Sequence, residues 1–329
     1  MGEDFTLYRG ESGTPYLVDS RCAHRGVQLS VGRVDGEEIA CLYHGWKYTG
    51  QGQCVEQPGE LEVQFASRVK IRGYRTRDYH GLVFAYLGEG EAPEFPIFLV
   101  LEGEGIVEAR SYRRRCNLTN FLDNHLDEAH FAFTHAVGFA RIPEIPRVRI
   151  SLTEFTAVSH SFRPDRVDRI SEFLMPNILR FKSTAPYEGV NWGDAVSWRV
   201  PLDDETKLSF MISRFVATKD GEEAFHAREK QLRELLVPDV DGLAKRILAG
   251  ELPYDEAMEE MGEHDPRYDI TLQDHLTMGG KGLSRTARLK CWVAPTWELQ
   301  RSAICGMSNS KTSAYTARTR SGSSPHRRS

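Results

Sequence analysis

Cys22-Ala23-His24 and Cys41-Leu42-Tyr43-His44, with sixteen residues between them, set the architecture of the first third of this chain. Each pair joins one cysteine to one histidine, so together they can ligate a 2Fe–2S cluster unevenly, thiolates on one iron and imidazoles on the other. Neutral imidazoles in place of two thiolates leave the cluster less negative and easier to reduce. Its potential moves from about −400 mV into a window of roughly −150 to +300 mV. Two cysteines and two histidines are also a zinc set. Zinc fingers, however, group cysteine with cysteine and histidine with histidine, and here both pairs are mixed. Gly26, Gly36 and Gly45-Trp46 suit two tight loops closing over a cluster.

Cys22-Ala-His-Arg-Gly and Cys41-Leu-Tyr-His-Gly-Trp-Lys-Tyr resemble the cluster loops of the Rieske non-haem iron oxygenases, the aromatic-ring hydroxylases and O-demethylases. Respiratory Rieske proteins carry a further cysteine in each loop. Here Val27 stands where the first would fall, and no cysteine lies between Cys41 and His44. The resemblance therefore favours the oxygenase branch.

At 329 residues the chain has room for about two domains. No run approaches eighteen apolar residues; the longest candidate, Phe95 to Leu101, is interrupted by Pro96. Met1-Gly2-Glu3-Asp4 carries no basic stretch followed by an apolar core, so no signal peptide is expected. The cysteines at 22, 41, 54, 116, 291 and 305 lack the spacing of a disulfide framework, which suits a reducing cytoplasm.

Residues 1 to about 95 alternate short β-type runs with Gly and Asp turns: Phe5–Arg9, Pro15–Asp19, Glu38–Tyr43 and Leu82–Tyr86. After Pro93 and Pro96, a strand over Glu108–Arg115 precedes a helical spacing of apolar residues across Leu118–His135. Strands return over 150–215, and helices are expected over Glu222–Leu248 and Leu252–Met261. The expected fold is α+β: an antiparallel Rieske β domain over 1–100, then a catalytic domain over 106–282 with an antiparallel sheet and flanking helices. Phe5–Arg9 resembles a strand that relatives place after one or two earlier ones, so the first strands are expected to be missing.

The second motif is Asn124-x-x-Asp127-x-x-His130-x4-His135, similar to the family's mononuclear iron motif, with Asp123 where many relatives have Glu. Two histidines and a carboxylate form the facial triad of non-haem Fe(II) oxygenases and leave positions open for O2. His125 is off the motif and reads as a surface or supporting residue. Asp127, three before His130, would share its helical face and accept hydrogen bonds from ligating imidazoles. The resemblance implies that it bridges His24 or His44 of a neighbouring subunit to the iron site. Downstream, Gln273-Asp274 resembles the family's Gln-Asp segment and makes Asp274 the third ligand. His275 is an alternative by chemistry, though not by motif, and Asp265 and Asp269 read as turn residues. Phe131, Phe133, Phe139 and Phe173 could line an apolar pocket, but each also suits a plain core position.

After Gly282 the resemblance stops. From Leu299 onward there are six Lys or Arg and no acid. A basic tail can bind nucleic acid, but regrouping the codons from Leu283 by one base permits an Ala-Asp-Arg step, a Gly-x-Ser-Asp-x-Gly turn and an apolar helix, as in relatives. Residues 283–329 are therefore expected to be an out-of-frame or disordered tail.

The resemblance implies an oxygenase component with a Rieske 2Fe–2S cluster on Cys22, His24, Cys41 and His44, and Fe(II) on His130, His135 and Asp274. It implies O2-dependent hydroxylation or O-demethylation of an aromatic or similarly apolar substrate. The chain shows no Rossmann glycine fingerprint, so electrons are expected from a separate NAD(P)H reductase, with or without a ferredoxin. A homotrimer is implied, with no nucleic acid and no membrane. The alternative is a Rieske electron carrier or a non-catalytic protein, including an inactive product of a damaged gene.

Overall fold

The computed structural model describes residues 3–60, 65–135, 145–162, 168–183, 190–191 and 193–281. Phe139 and the tail over 283–329 lie outside the described residues. The chain divides into two compact units, the first ending at Ile97 and the second beginning at Phe98.

The first unit is built from β1 (Phe5–Arg9), β2 (Pro15–Asp19), β3 (Arg33–Asp35), β4 (Glu38–Ala40), β5 (Lys47–Tyr48), β6 (Cys54–Glu56), β7 (Gly73–Tyr79) and β8 (Leu82–Tyr86). They form two four-stranded antiparallel sheets, ordered β1-β2-β7-β8 and β3-β4-β5-β6. In β1 the alternation Thr6, Leu7, Tyr8 sends Thr6 and Tyr8 inward and leaves Leu7 out, as a strand's two-residue period requires. The core gathers Val18, Leu29, Ile39, Trp46, Tyr48, Cys54 and Ile71 around the two motif cysteines. The strand expected over Glu38–Tyr43 stops at Ala40, because the chain turns there to form the second cysteine loop.

The second unit carries β9 (Ile106–Arg114), α1 (Leu118–Leu126), β10 (Arg147–Leu152), β11 (Thr156–Phe162), β12 (Arg169–Leu174), β13 (Ile178–Ser183), β14 (Gly193–Pro201) and β15 (Lys207–Phe215). Then come α2 (Lys219–Leu232), α3 (Val240–Leu248), α4 (Tyr254–Met261) and α5 (Arg267–Gly280). The sheet is wholly antiparallel in the order β10-β11-β12-β13-β14-β15-β9. Phe121, Leu122 and Leu126 of α1 pack with Met278 of α5 onto Ala157, Phe173 and Leu179 of the sheet. A second core joins α3, α4 and α5 through Leu243, Ala257, Met261 and Leu272.

Two expected helices are shorter than their periodicity implies. The stretch Leu118–His135 is helical only to Leu126. Asp127 has extended backbone, and a 3-10 turn over Ala129–Ala132 follows. Glu222–Leu248 is split into α2 and α3. Pro238 cannot continue a helix, and Asp239 caps the next one by accepting the Gly242 N–H.

Candidate metal centres

The two cysteine loops share one hydrogen-bond pattern. Cys22 N–H donates to Val27 C=O at 2.9 Å and its own carbonyl accepts from Gly26; Cys41 N–H donates to Trp46 C=O at 2.8 Å and its carbonyl accepts from Gly45. Gly26 and Gly45 sit at φ 70° and 72°, a left-handed turn that disfavours side chains. A Cβ on Gly45 would also come within 3.2 Å of Pro58.

These turns bury both cysteines and bring the His24 and His44 rings to 4.5 Å, centroid to centroid. Trp46 stacks on His24 at 4.6 Å and fixes its plane. Burial raises the Cys41 thiol pKa and neighbouring Cys22 adds to it, against the Tyr43 and His44 N–H groups that lower it. His24 Nδ1 is buried without a hydrogen-bond partner. Two buried adjacent thiols and an unpaired imidazole nitrogen fit a metal cluster, whose positive charge would deprotonate the sulfurs. Tyr48 adds a polar contact: its hydroxyl accepts from Ala23 N–H at 3.1 Å and lies 3.3 Å from Cys22 Sγ, where it would donate to a deprotonated sulfur, which can only accept.

In the second unit, ligand atoms of His130, His135 and Asp274 all lie within 4.8 Å of one another. His130 lies within the 3-10 turn and His135 just after it, and Asp274 comes from the middle of α5. The His130 Nδ1–H donates to the Asp127 carbonyl. The His135 Nδ1–H donates to Gln273 Oε1 at 2.8 Å. Both bonds leave Nε2 as the free lone pair, the arrangement a metal-ligating histidine needs. Asp274 receives Arg114 Nη1 at 2.7 Å and Asn124 Nδ2 at 3.3 Å. Burial works to raise its pKa, but Arg114 and His135 outweigh it and hold it well below the usual carboxylate range. Without a metal, burial works to lower the His135 pKa, but Asp274 and Gln273 outweigh it and raise it; a divalent transition metal would displace that proton and find two imidazoles and one ionised carboxylate.

The turn carrying His130 is anchored by the buried Glu128, which accepts from Arg169 Nη1 at 2.8 and 2.9 Å and from Ser171 at 3.0 Å. The helical-face relation expected for Asp127 does not hold, because the helix has ended. Its carbonyl serves His130, while its Oδ1 accepts from Ala129 N–H at 3.0 Å. His125 is not at the surface. Its Nε2 is buried and unpaired, its ring lies between Phe121 and Phe181, and burial drives its pKa far down. His275 turns away from the triad and pairs with Asp241 at 3.0 Å. Asp265 binds Arg267, and Asp269 binds His264 at 2.7 Å within the start of α5. Phe133 is 69% exposed and Phe173 belongs to the core, whereas Phe131 lies against His130, His135 and Arg169. Sequence reasoning missed Arg114 and Tyr48, and gave Gln273 no role.

The profile of the Rieske [2Fe-2S] domain matches residues 1–67. The chain is 36% identical over 232 residues to the 3-chlorobenzoate-3,4-dioxygenase oxygenase subunit of Comamonas testosteroni, covering 64% of this chain and 52% of that one. It is 30% identical over 225 residues to the 5,5'-dehydrodivanillate O-demethylase oxygenase subunit of a Sphingobium species, covering 64% and 51%. The chain thus spans about half the length of these curated relatives. The fold is similar to that of dicamba monooxygenase bound to dicamba, with a TM-score of 0.57, 16% identity, and coverage of 84% of this chain and 91% of that one. The N-terminal unit is a Rieske domain, and the chain is a homologue of Rieske oxygenase alpha subunits.

Proposed function

We propose that this chain is the oxygenase component of a Rieske non-haem iron oxygenase that hydroxylates or O-demethylates an aromatic substrate. The observation that carries the reading is the convergence of His130, His135 and Asp274 in a chain that also holds the paired Cys-His loops. Cys22, His24, Cys41 and His44 would hold the cluster, and His130, His135 and Asp274 the mononuclear iron. When bound, these groups supply single-electron transfer and O2 activation.

The chain's own residues prepare those sites. Gln273 and the Asp127 carbonyl hold the Nδ1 protons, so that both imidazoles present Nε2. Arg114 keeps Asp274 ionised. Asp127 would lie on the electron path from a neighbouring subunit's cluster, in a ring of three closed by head-to-tail contacts. An NAD(P)H-linked reductase, directly or through a ferredoxin, would supply electrons. Among the described residues, no helix is long and apolar enough to cross a membrane.

The test is metal and product analysis of purified protein. Two cluster irons with acid-labile sulfide plus one further iron per chain, and label from O2 in a hydroxylated or demethylated product, are expected. A chain with cluster iron alone and no O2 uptake would be an electron carrier instead.

A further inference from the structure

Two residues of β12 reach across to the turn that carries His130. Arg169 and Ser171 stand two apart on the strand and are both buried, as its two-residue period requires. Their common partner is Glu128. Arg169 Nη1 donates to its two oxygens at 2.8 and 2.9 Å, and Ser171 Oγ donates to one of them at 3.0 Å. The ion pair is out of water, with side-chain exposures of 0% for Glu128 and 7% for Arg169. The guanidinium is itself held in place. Its Nε donates to the Lys182 carbonyl on β13 at 3.0 Å, and the rings of Phe131 and Phe181 lie 4.8 and 5.7 Å from its central carbon.

Glu128 precedes His130 by two positions and Phe131 follows it by one, so a single guanidinium touches the chain on both sides of a proposed iron ligand. Phe131 in turn lies against both histidines, 4.5 Å from the His130 ring and 5.3 Å from that of His135. The turn needs such support. α1 has ended at Leu126, and a 3-10 segment of four residues has poor hydrogen-bond geometry of its own. Stability alone does not explain a buried ion pair here, because well-packed apolar residues of similar volume commonly do as well or better. Charge-assisted hydrogen bonds add defined directions.

We infer that Arg169 is a positioning residue for the second metal centre: acting through Glu128 and Phe131, it fixes the place and ring orientation of His130. The inference rests on the iron-triad reading and adds to it a residue outside the ligand set. The Asp127 carbonyl, one residue before Glu128, receives the His130 Nδ1 proton. When the turn is anchored, that bond holds and Nε2 faces the metal position. When it slips, the bond and the tautomer it selects are lost. The charges of Arg169 and Glu128 cancel, so the clamp adds no net charge beside the triad.

The test compares the parent with Glu128→Leu/Arg169→Met, which removes both charges and leaves neither orphaned. The full chain, with its cluster loaded and mononuclear iron removed, is titrated anaerobically with Fe(II), and urea unfolding is followed alongside. The double variant should keep the parental urea midpoint and cluster absorbance while its iron affinity falls about 10–100-fold. Parental iron affinity in the folded double variant overturns the proposal. Should the double variant not fold, Arg169→Lys replaces it. Lysine keeps the charge but cannot hold Glu128 and the Lys182 carbonyl together, so a weaker iron complex supports the clamp and parental affinity overturns it. Nitrogen NMR of labelled histidines in the iron-free chain gives a readout that needs no metal. His130 should be the Nδ1–H tautomer in the parent and a mixture in the variant, and an unchanged tautomer overturns the proposal. A parent that binds no Fe(II) but shows this tautomer change would sink the iron reading and uphold the clamp. An iron-binding parent whose variant keeps both affinity and tautomer would do the reverse.

Discussion

Gln273 Oε1 accepts the Nδ1 proton of His135 at 2.8 Å, and the next residue along α5, Asp274, faces the same imidazole's Nε2 at 3.4 Å. One helical turn therefore supplies both a proposed ligand and the group that fixes the tautomer of another. Gln273→Leu should lower mononuclear iron affinity by about 10–100-fold while leaving the cluster spectrum unchanged. Iron titration of the apo site, followed beside the cluster's visible absorbance, checks this. Parental affinity in the variant would leave Gln273 as simple packing.

Arg114 and Asp274 form a buried pair at 2.7 Å. Arg114→Met leaves the carboxylate buried without its cation, which typically costs about 3–5 kcal/mol. Urea unfolding of the iron-free protein should show a loss of that order, and Arg114→Met/Asp274→Asn should recover part of it. A single variant as stable as the parent would contradict the pairing.

The Tyr48 hydroxyl lies 3.3 Å from Cys22 Sγ and would donate to it once the sulfur is a deprotonated cluster ligand. A hydrogen bond to a cluster sulfur favours the reduced, more negative state. Tyr48→Phe should therefore lower the midpoint potential by about 20–60 mV, the equivalent of one net hydrogen bond in a one-electron couple. Protein-film voltammetry reads it directly; an unchanged or higher potential would count against the contact.

Asp127 divides its work between a carbonyl that orients His130 and a carboxylate that caps Ala129 N–H. Asp127→Asn keeps the cap and loses the charge, whereas Asp127→Ala loses both. If the carboxylate also carries electrons between subunits, both variants should keep both metals, accept electrons at the cluster and lose product formation by more than 100-fold. If it only caps the turn, Asp127→Asn should work within tenfold of the parent. Single-turnover assays with a prereduced cluster separate these outcomes.

His264 places Nδ1 2.7 Å from the Gly262 carbonyl and Nε2 2.7 Å from Asp269 Oδ1. Both partners only accept, so both nitrogens must carry protons and the ring is cationic. Burial opposes that charge, but Asp269 and the carbonyl outweigh it and raise the pKa. The stabilisation is complete below the unfolded value of about 6.5 and is lost as pH rises through the raised folded value. The gap in unfolding free energy between parent and His264→Gln should be widest near pH 6 and narrow in the alkaline range. A gap independent of pH would mean the ring is neutral.

The cluster loops were legible because each ligand pair lies within one short turn, where spacing alone implies convergence. His130, His135 and Asp274 were found only through resemblance to known motifs. Their geometry depends on a helix that stops at Leu126, which apolar periodicity cannot register because Ala129 continues the pattern. Arg114 was illegible for a different reason: it meets Asp274 across 160 positions of sequence, and an arginine ending a strand reads as solvent-facing. Likewise, Arg169 sits at an inward strand position that alternation assigns to an apolar residue.

The edge strand β9 leads directly into α1, yet its hydrogen-bonded neighbour is β15, beyond the rest of the sheet. During synthesis the segment bearing Asp127 and His130 therefore emerges long before the strand that docks it. Asp274 follows later still, on α5. The second metal centre cannot take shape on a growing chain until α5 has left the ribosome, whereas the cysteine loops can close once the first unit is out. Loading of the two centres should thus be ordered in time, the sulfur cluster's site maturing first and the histidine site last.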